Sequence, residues 1–103
     1  LVRFIFGIDD QPVGFVDLDP AEGRVHYLIV RPAAQGRGVG TALLEAAAAA
    51  IAGPMSLSVL ALNEPARTWY ARRGFTVTRT WHDEAWHGGP ADWLELGKGR
   101  GAG

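Results

Sequence analysis

Three glycines at alternate positions, Gly36, Gly38 and Gly40, lie between the apolar run Leu28-Ile29-Val30 and the alanine- and leucine-rich stretch that begins at Thr41. A strand that passes through a glycine-rich turn into a helix leaves the first helical N–H groups without an intrahelical acceptor, and they carry partial positive charge. Such a turn suits a phosphate. The glycines let the backbone approach a ligand without Cβ interference, and Arg37 adds a cation. Spacing excludes two common phosphate loops. A P-loop needs Gly-x4-Gly-Lys-Ser/Thr, and no lysine precedes Lys98. A dinucleotide fingerprint needs Gly-x-Gly-x-x-Gly or Ala; counted from Gly36 the last position is Thr41, and counted from Gly38 it is Leu43.

A second constellation follows at Asn63, Ala66, Tyr70, Gly74 and Phe75. Ala66 and Tyr70 are four apart and share a helical face, with Asn63 at the start of that helix. Asn63 also reads as a simple helix cap, and Tyr70 as an amphipathic core residue. Three histidines remain. Strand alternation puts His26 on the face of Leu28 and Val30, and its near-neutral titration suits a base acting directly or through water. His82 and His87 are expected in a late polar loop, either lining a pocket or simply on the surface. Three scattered histidines without ligand spacing, in a chain lacking cysteine, give no reason to expect a metal. Trp81, Trp86 and Trp93 cluster around the same loop. Their ring faces attract cations and apolar groups, although core packing or a dimer interface explains them equally well.

The elements that position these residues are marked by turn chemistry. Strands are expected over Val2–Ile8, Val13–Asp17 and Arg24–Val30, separated by the turns Asp9-Asp10-Gln11-Pro12 and Asp19–Gly23. A helix follows over Thr41–Ala52, apolar nearly all round and so covered on more than one side, and Gly53-Pro54 stops it. Ser56–Leu62 alternates as a strand, Asn63 caps a helix over Glu64–Arg73, and Gly74 closes it. Phe75–Trp81 and Trp93–Leu96 are the last strands. The expected order is βββ-α-β-α-ββ, a mixed α/β (α+β) fold with helices on the faces of the sheet. Residues 1–97 form one domain, and 98–103 a flexible tail.

The spacing Gln/Arg-x-x-Gly-x-Gly/Ala is met by Gln35, Gly38 and Gly40, with Val30 and Pro32 just upstream. Together with Asn-x2-Ala-x3-Tyr-x3-Gly-Phe at residues 63–75, it resembles the GNAT superfamily of N-acetyltransferases over roughly residues 2–97. The resemblance implies a mostly antiparallel sheet, splayed between the third and fourth strands of this chain. It implies acetyl-CoA as cosubstrate, with its pyrophosphate on the amides of Gln35, Gly36, Arg37, Gly38, Val39, Gly40 and Thr41. The pantetheine arm would pair with the backbone of Leu28, Ile29 and Val30. Asn63 and Ala66 would also contact the cofactor. The Tyr70 hydroxyl would protonate the leaving thiolate, and His26 would take the strand position at which some members carry a base. Members usually begin with a strand and one or two helices that help form the acceptor site, and these are absent here. Either the chain is truncated or another subunit completes the site.

The expected activity is acetyl transfer to a primary amine of a small molecule or peptide by direct attack on the thioester. The alternative is a non-catalytic coenzyme A-binding or dimerisation module. The formal net charge of −1 gives no reason to expect nucleic acid. Its distribution is uneven: residues 1–30 balance at −3 and residues 31–79 at +4, which favours an anionic ligand on the middle of the chain. No apolar run approaches the ~20 residues of a membrane span, and a cytoplasmic location with a homodimer as the assembly is expected.

Overall fold

The computed structural model describes residues 1–87 and 89–99. Strands β1 (Val2–Ile8), β2 (Gln11–Asp19) and β3 (Arg24–Val30) precede helix α1 (Val39–Ala50). Strand β4 (Met55–Leu60), helix α2 (Glu64–Ala71) and strands β5 (Thr76–Trp86) and β6 (Gly89–Lys98) follow. The expected order βββ-α-β-α-ββ is therefore the observed one. The chain divides into two compact units, Leu1–Met55 and Ser56–Gly103.

In the first unit β2 lies between β1 and β3, antiparallel to both. The β1–β2 turn is only Asp9-Asp10, both left-handed with φ of 51° and 62°. Two positive φ values suit a two-residue hairpin, because they match the twist of the strands. Gln11 and Pro12, expected in the turn, instead pair with Ile8 and Gly7. The register shifts beside that pair, so Val13 is an extra residue on β2. Val16 and Leu18 are fully buried on one face. Gly14 lies on that face too, and a Cβ there would stand 3.1 Å from Val39 Cγ1 and 3.2 Å from Leu43 Cδ1, so α1 packs tightly on β2.

Helix α1 starts two residues before the expected Thr41 and stops at Ala50, where Ile51 turns extended. Its buried residues are Val39, Leu43, Leu44 and Ala47, a single stripe, while Ala48 and Ala49 are exposed. The expectation of cover on more than one side is thus corrected: alanine sustains a helix without needing burial.

In the second unit β6 lies between β4 and β5. β4 ends at Leu60 rather than Leu62, because the chain turns there, with Asn63 N–H donating to Leu60 O at 3.0 Å. The largest departure is the β5–β6 hairpin. His82–Trp86 and Gly89–Asp92 were expected in a polar loop but are strand, with Trp81 opposite Trp93 and His82 opposite Asp92. Polar side chains on both exposed faces hide such a strand from any hydrophobic pattern. Lys98, expected in the tail, ends β6 and lays its stem near Gly74. The rest of the tail from 100 onward lies outside the described residues.

Candidate functional site

From β3 the chain enters a short 3₁₀ turn, Pro32–Ala34, and then the glycine turn. Arg31 N–H donates to Val13 O at 2.8 Å, and Gln35 Nε2 donates to Val30 O at 3.1 Å, so both ends of the turn are tied to the sheet. The Gln35 amide is used inside the turn, donating to Pro32 O at 3.3 Å. Gly36 and Gly38 are left-handed, with φ of 79° and 81°. A Cβ built on either would meet nothing within 4 Å, so the backbone faces open space. Gly38 is the N-cap of α1, with no side-chain cap and no acidic residue in the first turn. Nothing in that cap competes with an incoming anion. Val39 anchors the turn with its buried side chain, so only its backbone can serve a ligand. Arg37 is exposed, and Gly40 and Thr41 are half-buried in the first turn.

Leu28 and Val30 are half-buried on β3, and Ile29 is exposed. His26 does not share their face. The register passes from Leu18↔Val25 to Asp17↔Tyr27, which leaves His26 as the extra residue of a bulge. Val25 therefore takes the inner face with Leu28, opposite Leu18 and Val16, and His26 is exposed. Alternation fails there because a bulge is a property of two strands in register, not of one strand.

In the second unit Asn63 caps α2, its Oδ1 accepting from Ala66 N–H at 3.2 Å. Ala66 is half-buried and Tyr70 buried. The Tyr70 ring meets Trp69 and Phe75 edge-on, with centroids 5.0 and 5.3 Å apart. Burial alone pushes the Tyr70 hydroxyl up to about 12, so it holds its proton at neutral pH. Gly74, with φ of 91°, closes the helix as expected. His82 Nδ1 lies 2.7 Å from Asp92 Oδ1 and its Nε2 3.0 Å from Glu84 Oε1. The bond to Asp92 first, and then Glu84 and Asp83, hold the imidazole above its ordinary value. His87 stands in the turn with φ of 46°, its ring edge-on to Trp86. Trp81 and Trp93 stack at 6.0 Å, and Trp86 meets Trp93 edge-on at 5.5 Å.

The profile of the GNAT acetyltransferase domain matches residues 3–77. This chain belongs to that family. Solved structures resemble it over almost its whole length. Ribosomal-protein-S18-alanine N-acetyltransferase from Escherichia coli is 19% identical with a TM-score of 0.83, covering 99% of this chain and 70% of that one. Apo-form YjaB from Escherichia coli is 29% identical with a TM-score of 0.77, covering 98% and 65%. Nourseothricin acetyltransferase is 30% identical with a TM-score of 0.75, covering 95% and 64%. This GNAT domain thus spans about two thirds of the length of the structures it matches. Among curated protein sequences none matches. Among the described residues no group of three acidic or histidine side chains is placed to hold a metal, and no helix is long and apolar enough to cross a membrane.

Sequence reasoning missed a groove of about 400 Å³ on the face of the first unit's sheet opposite α1, bordered by Ile5, Phe15, Ile29 and Arg31. Its walls come from residues far apart in the chain. The only local signal is an arginine at the end of β3, between the strand and Pro32.

Proposed function

We propose that this GNAT domain transfers an acetyl group from acetyl-CoA to a primary amine of a small molecule or peptide. The observation that carries the reading is the turn at Gly36 and Gly38: two left-handed glycines with open space before them, at an uncapped helix N-terminus. The backbone amides from Gly36 to Thr41 would hold the pyrophosphate, that of Gln35 being engaged by Pro32 O within the turn, and the backbone of Leu28–Val30 would hold the pantetheine arm. Asn63, whose oxygen is engaged by Ala66 N–H, keeps its NH₂ group to donate to the cofactor, with Ala66 beside it. Acetyl-CoA bound there supplies an acyl group activated as a thioester. The amine nitrogen forms a bond to the acetyl carbon as the carbon–sulfur bond breaks; one proton leaves nitrogen and one reaches sulfur. Tyr70 would give that second proton: like any tyrosine it is protonated at neutral pH, and the burial that raises it makes it a weaker acid than an exposed one. His26, exposed on β3, is the candidate base and would act through water. A cytoplasmic location and a homodimer are part of the same proposal. The relatives act on an alanine of ribosomal protein S18 and on nourseothricin, so both peptide and non-peptide acceptors stay within the proposal.

Thermal unfolding with and without acetyl-CoA tests the donor. At 100 times the dissociation constant it should add about 2.7 kcal/mol, with ATP and NAD silent. No shift at saturation would sink the reading. Tyr70→Phe then tests the chemistry, since it removes only a hydroxyl. Turnover should fall by about 10²–10⁴, towards the lower end where water can substitute, while acetyl-CoA affinity changes little. Unchanged turnover would remove the role of Tyr70. A protein that binds acetyl-CoA yet acetylates no amine would instead be a coenzyme A-binding module.

A further inference from the structure

The two backbone segments assigned to the cofactor, Leu28–Val30 on β3 and the glycine turn at the start of α1, are separated in the chain by Arg31–Gln35. Acetyl-CoA is one molecule, so its pantetheine arm and its pyrophosphate fit together only if strand and turn stand at a fixed spacing. Gln35 ties them from the turn, its Nε2 donating to Val30 O at 3.1 Å. A second link lies beneath them, inside the fold.

Gly14 lies on β2 opposite Val30, next to the Phe15–Ile29 pair. Unlike Gly36 and Gly38 it has no positive φ, so its backbone accepts any residue and only space forbids one. That space is missing. A Cβ at Gly14 would stand 2.9 Å from Ile29 O, 3.1 Å from Val39 Cγ1 and 3.2 Å from Leu43 Cδ1. Ile29 belongs to the pantetheine strand. Val39 is the first residue of α1 and anchors the turn, and it and Leu43 are both buried. A main-chain carbonyl held in a sheet cannot swing aside, and a buried valine is stiff at χ1. A methyl group at residue 14 therefore pushes β3 and the start of α1 at once, and close packing passes the push on.

We propose that Gly14 is a positioning residue for acetyl-CoA: by carrying no side chain it sets the spacing between the strand that takes the pantetheine arm and the turn that takes the pyrophosphate. The inference rests on the cofactor reading above. Gly14 touches neither the cofactor nor the reacting atoms, and acts through Ile29 and Val39. Its loss should therefore remove binding that the ground state and the transition state share, which raises KM and leaves kcat alone.

Gly14→Ala in the full 103-residue chain tests this. By calorimetry the dissociation constant of acetyl-CoA should rise about 10-fold, a shift well under 1 Å costing less than the ~10²-fold of a 1 Å misplacement. With an accepted amine the KM for acetyl-CoA should rise alike at unchanged kcat. Leu18→Ala, a lesion elsewhere on β2, should lower thermal stability yet leave the affinity of the folded protein unchanged. In Gly14→Ala/Val39→Ala the added methyl fills room left by the shortened valine, and affinity should exceed that of Val39→Ala alone, since residues in contact are not additive. That double variant also decides the matter if Gly14→Ala by itself does not fold. Without any cofactor, the amide NMR signals of Gly36 and Gly38, which precede Val39 in the chain, should move in Gly14→Ala. An unchanged affinity in folded Gly14→Ala, an equal loss in Leu18→Ala, a double variant no better than Val39→Ala, or unmoved Gly36 and Gly38 signals would overturn the assignment. If wild type itself does not bind acetyl-CoA, the cofactor reading falls, and the glycine signals still decide whether Gly14 sets the turn.

Discussion

The β1–β2 and β5–β6 hairpins are built on different physics. Strand β2 sends Val16 and Leu18 into complete burial, and its hairpin is held by the core beneath it. Strand β5 has no buried residue at all. Its partner β6 buries Leu94 and Leu96, and the hairpin is otherwise laced by surface side-chain pairs: half-buried Trp81 on half-buried Trp93, Arg79 over Trp81 at 4.5 Å, and exposed His82 with Asp92. Core burial is indifferent to pH and salt, whereas exposed charge pairs respond to both. One hairpin therefore rests mainly on solvent exclusion, with the Arg3–Asp17 pair as its one described charge contact, and the other mainly on surface pairs that solution conditions adjust.

The sharpest way to break that contrast is Leu18→Ala, which should cost about 3–5 kcal/mol, the range for a fully buried leucine. Thr80→Ala on β5 should stay within about 0.5 kcal/mol. Urea unfolding of both variants measures the difference, and similar losses would show that the hairpins are held alike. An intermediate effect is expected for Trp93→Ala, which removes the stack on Trp81 and the edge contact with Trp86. About 1–3 kcal/mol should be lost, the worth of two aromatic contacts.

How much of this was legible in the sequence follows the same divide. β3 was readable to the residue, because a branched and aromatic run sits between Gly23 and Pro32. The start of α2 and its closing turn were readable because Asn63 and Gly74 act locally. The glycine turn was likewise visible, as its conformation is carried by Gly36 and Gly38 themselves. By contrast, the extra length of β5 and β6 depends on pairs such as His82 with Asp92, which are made across strands and leave no periodic trace. The bulge at His26 and the groove beside Arg31 are hidden for the same reason. Residues 3, 15 and 31 meet only once the strands have aligned.

The smallest predicted effects concern pH, and the two hairpins respond with opposite sign. Hydrogen bonds from Arg3 hold Asp17 below its ordinary value of 3.8, so its contribution is present above that value and lost as pH falls through the depressed one. The bond to Asp92 holds His82 above 6.5, so its contribution is complete below 6.5 and lost as pH rises through the raised value. Both pairs act together only between those limits. Urea midpoints followed across pH should therefore decline slightly on each side of the window. His82→Gln should flatten the alkaline side and Asp17→Asn the acid side. An alkaline decline that survives in His82→Gln would mean that another group titrates.

All four tryptophans, at positions 69, 81, 86 and 93, belong to the second unit, while the first holds a single tyrosine, Tyr27. Intrinsic tryptophan emission is consequently a probe carried by α2 and the β5–β6 hairpin, with no tryptophan in the glycine turn or the Arg31 groove. If the two units lose structure at different denaturant concentrations, emission and far-ultraviolet dichroism will trace separate curves. A tryptophan placed at Tyr27, which is 61% exposed, would give the first unit its own optical signal.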